Sequence, residues 1–332
     1  MDDETPQAAP QVKPERRRRR WLIAGGVALV VVLAGAFALR TPSPVGHWRS
    51  AEGYDAFVET YEAAFADMPE PAETLDVRTD FGVVRFYRFT GTGDAAEPLV
   101  LLPGRASASP VWAGNLPSLL AIGDVYTVDL LGEPGMSVQD RPIEDDADQA
   151  AWLDQALAGL PEDRFNLVGV SIGGWTAANL AVRQPDRVAS LTLVDAVFVF
   201  DGMPVGTMIR SIPASVPWFP KSWRDGFNSY TAGGAEVEDE PVADMIEAGM
   251  QHYQLRLPAP TQLTEDQLTA LDMPVLAIIA GQSVMHDPAT ARDTAERALP
   301  DGSVVFYQDA THAVNGEYPD EIAANIAELL GV

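Results

Sequence analysis

Along most of this 332-residue chain, short and largely apolar runs alternate with segments of helical periodicity, and that alternation restricts the fold more than any other feature. The runs are PLVLLPG (98–104), DVYTVDLLG (124–132), FNLVGVS (165–171), VASLTLVDA (188–196), PVLAIIAG (274–281) and SVVFYQDA (303–310). Between and after them lie PVWAGNLPSLLAI, DQAAWLDQALAGL, IGGWTAANLAVRQ, PATARDTAERAL and PDEIAANIAELL, whose apolar residues recur at helical spacing. A strand that is apolar on both sides must be covered on both sides. The pattern therefore predicts an α/β fold whose mostly parallel central sheet is flanked by helices. Ahead of it, YDAFVETYEAAFAD (54–67) predicts a helix, and LDVRTD with VVRFYRFT predicts a hairpin turning at Phe81-Gly82.

The alternation breaks once, between 197 and 273. This stretch is rich in Met, Phe, Trp and Pro, as in FVFDGMPVGTMIRSIPASVPWFP. It reads as an inserted, partly helical cap over the carboxyl ends of the strands, where open α/β sheets bind ligands. The expected division is a core first part (51–196), the cap (197–273) and a core second part (274–332).

The N-terminus has a different character. Arg16 to Arg20 precede WLIAGGVALVVVLAGAFAL (21–39), a run without charge that Arg40 closes. As a helix it would span about 28 Å, close to a bilayer's hydrocarbon core. One N-terminal transmembrane helix is expected here, a signal anchor with the arginines cytoplasmic and the catalytic domain extracytoplasmic. The competing expectation is a secreted protein cleaved near Ala38, since Ala36-Phe37-Ala38 resembles a cleavage site. Residues 1–20 read as a disordered cytoplasmic segment and 40–50 as a linker.

Charge and cysteine content exclude some chemistries. Residues 41–332 hold 15 basic and 44 acidic groups, a net charge of −29, which argues against nucleic acid as a partner. With no cysteine, disulfides, thiolate metal sites and thiol nucleophiles are out. No metal or organic cofactor is implied.

Gly169-Val170-Ser171-Ile172-Gly173 matches G-x-S-x-G. The pattern is common by chance, but here it follows an apolar strand and opens a helix. The glycines allow a sharp turn that pushes the Ser171 hydroxyl out at the strand end. A serine hydroxyl needs a base to become a nucleophile. Of the four histidines, His47 is beside the anchor, His252 lies in the cap and His286 precedes the last strand. His312 follows that strand, at the same sheet edge as Ser171, and is the expected base. Expected oxyanion donors are the backbone amides of Ile172, at a helix N-terminus, and of Arg105, in the turn after PLVLLPG. The Arg105 side chain reads as solvated.

These motifs in this order resemble the α/β-hydrolase superfamily over nearly all of 50–332. The resemblance rests on LVLLPG with SASPVW behind it, GVSIGG, the cap, THAVNGEYPDEI, and VDLLGEPGMS. The last of these carries Asp129, Gly132, Gly135 and Ser137 as D-x-x-G-x-x-G-x-S, as in bacterial esterase-like members. Two features depart from the pattern. Pro103-Gly104 stands where many members have His-Gly, and Val284 stands where the catalytic carboxylate often sits. The replacement acid is Asp287, three residues later in the same loop, or Asp195 at the end of the preceding strand. Asp287 is preferred for its place in the chain, although Asp before a proline at a first helical position also reads as a helix cap. The resemblance implies a serine hydrolase of the carboxylesterase kind, acting on a small-molecule ester with an apolar portion. The other reading is a membrane-tethered binding or scaffold module with a decayed triad.

Overall fold

The apolar runs become neighbouring strands of one sheet. The structure is a computed structural model and describes residues 42–216, 218–236, 240–299 and 302–332. The transmembrane helix expected over 21–39 and the disordered segment expected over 1–20 lie outside the described residues. Among the described residues no helix is long and apolar enough to cross a membrane.

The hairpin forms β1 (Glu73–Thr79) and β2 (Gly82–Phe89). The runs form β3 (Leu99–Leu102), β4 (Val125–Val128), β5 (Phe165–Val170), β6 (Val188–Val194), β7 (Val275–Ala280) and β8 (Ser303–Tyr307). Their order across the sheet is β8-β7-β6-β5-β3-β4-β2-β1. From β8 to β4 all neighbours are parallel. The hairpin adds antiparallel strands at one edge, and a two-residue strand, Val138–Gln139, pairs with β2. Every residue of β3, β4, β5 and β7 is buried, whereas β1 alternates exposed with half-buried positions. Central strands thus read as continuous apolar runs and the edge strand as a period of two.

The long helices fall on both faces. On one face, α2 (Asp146–Ala158), α3 (Ile172–Arg183) and α8 (Pro288–Ala298) bury Trp152, Leu180 and Ala295. On the other, α1 (Ala51–Phe65) and α9 (Pro319–Leu330) bury Phe57, Tyr61 and Ile326. Ser50 starts α1 by accepting a hydrogen bond from the Gly53 amide, and Asp145 starts α2 by accepting from Ala147 and Asp148. The segment PVWAGNLPSLLAI differs from expectation. It yields only a 3-10 turn (Ser109–Trp112) and one helical turn (Leu116–Leu119). Pro110, Gly114 and Pro117 interrupt a longer helix, since proline lacks the amide proton a helix interior needs.

Between β6 and β7 the described residues form five helices: α4 (Val205–Arg210), α5 (Ile212–Ser215), α6 (Lys221–Thr231), α7 (Pro241–His252) and a short one, Glu265–Thr269, which Thr264 caps. The pair Tyr253–Gln254, directly after α7, adds antiparallel to His47–Trp48. Strand order reverses at β3, which lies between β4 and β5. The crevice at the carboxyl ends of β3 and β5 is where a ligand site belongs in such a sheet.

Candidate active site

Ser171 sits at the turn from β5 into α3 with φ 55° and ψ −120°. That is a strained backbone for a residue with a Cβ, and it is the geometry that lifts a hydroxyl clear of the sheet. Glycine neighbours permit it. A Cβ on Gly173 would lie 2.2 Å from the Leu102 carbonyl oxygen, and one on Gly169 would lie 2.4 Å from the Gly173 oxygen. The elbow is therefore pressed against the end of β3. Ser171 donates its hydroxyl proton toward His312 Nε2 at 2.9 Å.

His312 lies past the end of β8, as expected from its place in the chain. Its Nδ1 is 2.6 Å from Asp195 Oδ2. With Nδ1–H facing the carboxylate, the Nε2 lone pair faces the serine, as a general base requires. Asp195 follows β6 with φ 43°, a left-handed backbone, and is fully buried. Three more donors surround it. The Ala280 amide (3.0 Å) and His286 Nε2 (2.8 Å) reach Oδ1, and Ser283 Oγ (2.6 Å) reaches Oδ2. Burial alone would push the carboxyl up. The hydrogen bonds from His286 and His312 reverse this and hold Asp195 well below the usual carboxylate range.

Asp287, the preferred carboxylate from sequence, is not brought to His312. It caps α8, accepting a hydrogen bond from the Thr290 amide at 2.8 Å on the surface. Proline at the first helical position fixes the helix start there, so the side chain is committed to the orphan amides. The alternative, Asp195, is the one the structure joins to His312.

His286 is not the base that faces Ser171, yet it belongs to the same network. It is buried against Asp195, and its pKa is raised: burial opposes the charge, but the Asp195 carboxylate outweighs burial. A raised pKa in the folded state contributes stability that is full below the unfolded value of about 6.5 and is lost as pH rises through the folded value. His286→Gln is thus expected to destabilise most in acid. Urea unfolding across pH should show the gap between wild type and variant widest below about pH 6.5 and narrowing as pH rises. A gap independent of pH would count against this placement of charge.

The two expected oxyanion residues, Arg105 and Ile172, both line the cavity onto which Ser171 and His312 open. A Cβ on Gly104 would sit 3.6 Å from the Ser171 Cβ, so the turn carrying the Arg105 amide abuts Ser171. The Arg105 side chain is not simply solvated. It pairs with buried Glu133 at 2.5 Å, and Glu133 also accepts from the Ala106 amide at 3.2 Å. This carboxylate, which the sequence did not single out, clamps the turn that would hold the oxyanion. Asp129 of the D-x-x-G-x-x-G-x-S loop does related work. Fully buried, it accepts from the Ser109 amide (2.8 Å) and hydroxyl (2.7 Å), the Met136 amide (2.8 Å) and Tyr61 (3.0 Å). Burial still pushes its carboxyl up. Ser137 closes the loop by donating to the Asp129 carbonyl at 2.5 Å. The loop motif is a brace between the turns after β3 and β4.

The cavity measures about 660 Å³, within the range that holds a small organic ligand. Val111, Phe198, Met203, Phe227, Ile246 and Met250 make much of its wall, several of them from the insertion between β6 and β7. Among the described residues no cluster of His, Asp and Glu could hold a metal ion.

Comparisons with known proteins agree with this architecture. The family model described as alpha/beta hydrolase fold matches residues 97–233. A protein named uncharacterized carboxylesterase nap, of Bacillus subtilis strain 168, is 23% identical over 281 residues, covering 79% of this chain and 88% of that one. Carboxylesterase YbfK of the same strain is 23% identical over 286 residues, covering 82% and 93%. The crystal structure of YbfK superposes with a TM-score of 0.76 at 21% identity, over 84% of this chain and 99% of that chain. A membrane phospholipase A, described as a bacterial virulence factor, superposes with a TM-score of 0.65 at 19% identity, over 94% and 98%. At such identities the likeness of structure is one of fold, and the fold is that of the α/β hydrolases.

Proposed function

We propose that this chain of α/β-hydrolase fold is a serine carboxylesterase held at a membrane by residues 21–39. It is an ester-bond hydrolase, in keeping with the carboxylesterases among its relatives. The observation that carries the mechanism is the unbroken line Ser171 Oγ–His312 Nε2–His312 Nδ1–Asp195 Oδ2, at 2.9 and 2.6 Å. Ser171 Oγ attacks the acyl carbon while His312 Nε2 takes its proton. The amides of Ile172 and Arg105 hold the oxyanion. The bond to the alcohol oxygen then breaks, and His312 returns the proton to that oxygen. Water attacks the acyl-enzyme, again giving a proton to His312. As the acyl–Oγ bond breaks, His312 returns that proton to Ser171 Oγ, and the carboxylic acid leaves. Asp195 fixes the imidazole tautomer and stabilises its protonated form. The apolar cavity wall suits an ester with an apolar acyl or alcohol part.

The test is labelling of the intact protein with a fluorophosphonate. Wild type should be modified at Ser171, Ser171→Ala should not be modified, and His312→Ala should react far more slowly. A wild type that fails to label sinks the hydrolase reading and leaves the non-catalytic binding module. The tether is supported by the uncharged run 21–39 behind Arg16 to Arg20. It places the esterase outside the cytoplasmic membrane. Retention in the membrane after alkaline carbonate washing supports the tether, and a mature N-terminus just past Ala38 would replace it with secretion.

A further inference from the structure

The insertion between β6 and β7 is apolar on the wrong side for a domain surrounded by water. Among the described residues nine large apolar side chains are exposed, and six of them lie between 205 and 223: Val205, Met208, Ile209, Ile212, Trp218 and Trp223. Val205, Met208 and Ile209 share one face of α4 at i, i+3, i+4 spacing, and Ile212 opens α5 directly after it. That stripe points outward, while Thr207 points inward and donates to the Val284 carbonyl at 2.6 Å. Beyond it, Trp218, Phe219 and Trp223 stack ring on ring, with centroids 4.5 and 4.9 Å apart. Trp218 is 79% exposed. Soluble surfaces rarely gather such residues in one patch.

We infer that this outer face, from Val205 to Trp223, docks into the interfacial layer of a lipid bilayer. Charge supports lipid over a second copy of the chain. Residues 202–224 contain no acidic residue, in a domain whose net charge is −29. Of their three basic residues, Arg210 is exposed, Lys221 pairs with Asp225 at 2.9 Å, and buried Arg224 is held by Glu247. Two copies meeting here would bring strongly anionic bodies together, whereas an apolar patch with tryptophans and the exposed Arg210 suits the headgroup layer of a bilayer. Arg210 is exposed, its guanidinium 4.6 Å above the Tyr230 ring, at the edge of the stripe. The second support is where the chain enters the domain, and it alone rests on the tether proposed above. Residues 40–46 separate the apolar run from His47, and seven residues span at most about 25 Å. His47–Trp48 pair with Tyr253–Gln254 beside the end of α7, so entry is at the insertion itself. Ser211 and Ala214, within the same stretch, line the catalytic cavity. Docked in this way, the cavity wall faces lipid, and the ester would come from the bilayer.

Because the chain lacks cysteine, one introduced cysteine reports from one place. The full chain, carrying Ile209→Cys with an environment-sensitive nitrobenzoxadiazole label, is reconstituted in phosphatidylcholine–phosphatidylglycerol vesicles. Some of the lipid bears a nitroxide near the headgroup. Asp186→Cys, exposed just before β6 at the opposite end of the strands, is the reference. The Ile209 label should shift to the blue and be quenched by the nitroxide, and the Asp186 label should do neither. Trp218→Ser with Trp223→Ser, both exposed and cheap to change, should abolish the quenching at Ile209. Equal behaviour of the two labels overturns the proposal. So does a blue shift without nitroxide quenching, which would mean a second copy covers the patch. Failure of the tether shows separately, as loss of the chain in the alkaline wash while Ile209 is still quenched. Failure of the esterase reading leaves the label signal unchanged.

Discussion

Asparagine at position 195 is expected to lower kcat for a p-nitrophenyl ester by about 10⁴-fold, the loss that the same change causes in a Ser-His-Asp triad. Asp287→Asn should leave it unchanged. The first effect follows from the hydrogen-bond directions. The Asp195 carboxylate accepts from four donors: the Ala280 amide, Ser283, His286 and His312. An amide offers one acceptor oxygen and turns an NH₂ toward the remaining donors. If that NH₂ faces His312, Nδ1 must accept, and the ring proton moves to Nε2, where it points at Ser171. The base is then lost although every atom is close to its old place. The same mismatch lowers stability, so the melting temperature of Asp195→Asn must be read alongside its rate to show that the loss is not unfolding. Asp287→Asn is the matched control, because asparagine caps a helix nearly as well as aspartate. If Asp287→Asn lost activity while Asp195→Asn kept it, the bond between His312 and Asp195 would have no catalytic meaning.

Why the order of these two carboxylates was not legible in sequence is a matter of geometry at strand ends. The six apolar runs, the nucleophile turn and His312 were legible because each is a local pattern: burial on both faces, glycines about a serine, a histidine directly after a strand. The choice of acid depends on where a side chain points after two strands have paired. Asp195 N bonds to the Ile278 carbonyl at 2.8 Å, and the left-handed φ at Asp195 aims the carboxylate at the β7 loop and His312. Nothing local in LTLVDA announces this. The signal against Asp287 was present, because Asp-Pro at a helix start already reads as a cap. His286 and Ser283 had no signal of their own, since their partner is about ninety positions away. Glu133 was likewise silent. The insertion was half legible: its apolar content fits the cavity wall, but composition does not say which residues turn outward, and Ile209 and Trp218 do.

The largest stability effect is expected at Gly173, where alanine should cost about 3 kcal/mol, the upper range for forcing a methyl into a packed site. In a domain of this size that lowers the melting temperature by roughly 6–12 °C. The added methyl would meet the Leu102 oxygen at 2.2 Å and the Pro103 oxygen at 2.4 Å. Both are backbone atoms at the end of β3, so no side chain can swing away. Relief requires α3 to move off the sheet, which carries Ser171 away from the Gly104–Arg105 turn. Stability and kcat should therefore fall together, and the folded fraction of Gly173→Ala should still turn over slowly. The opposite sign is expected at Gly226, inside α6, where an added Cβ meets nothing within 4 Å. Alanine there should stabilise by roughly 0.5–1 kcal/mol, the ordinary gain over glycine in a helix. The pair separates two causes that a single glycine variant would confound. If both variants shifted the melting temperature alike, backbone entropy would govern both sites and the contact between the elbow and β3 would carry no weight. If only Gly173→Ala falls, the close approach of α3 to the end of β3 is what places the hydroxyl.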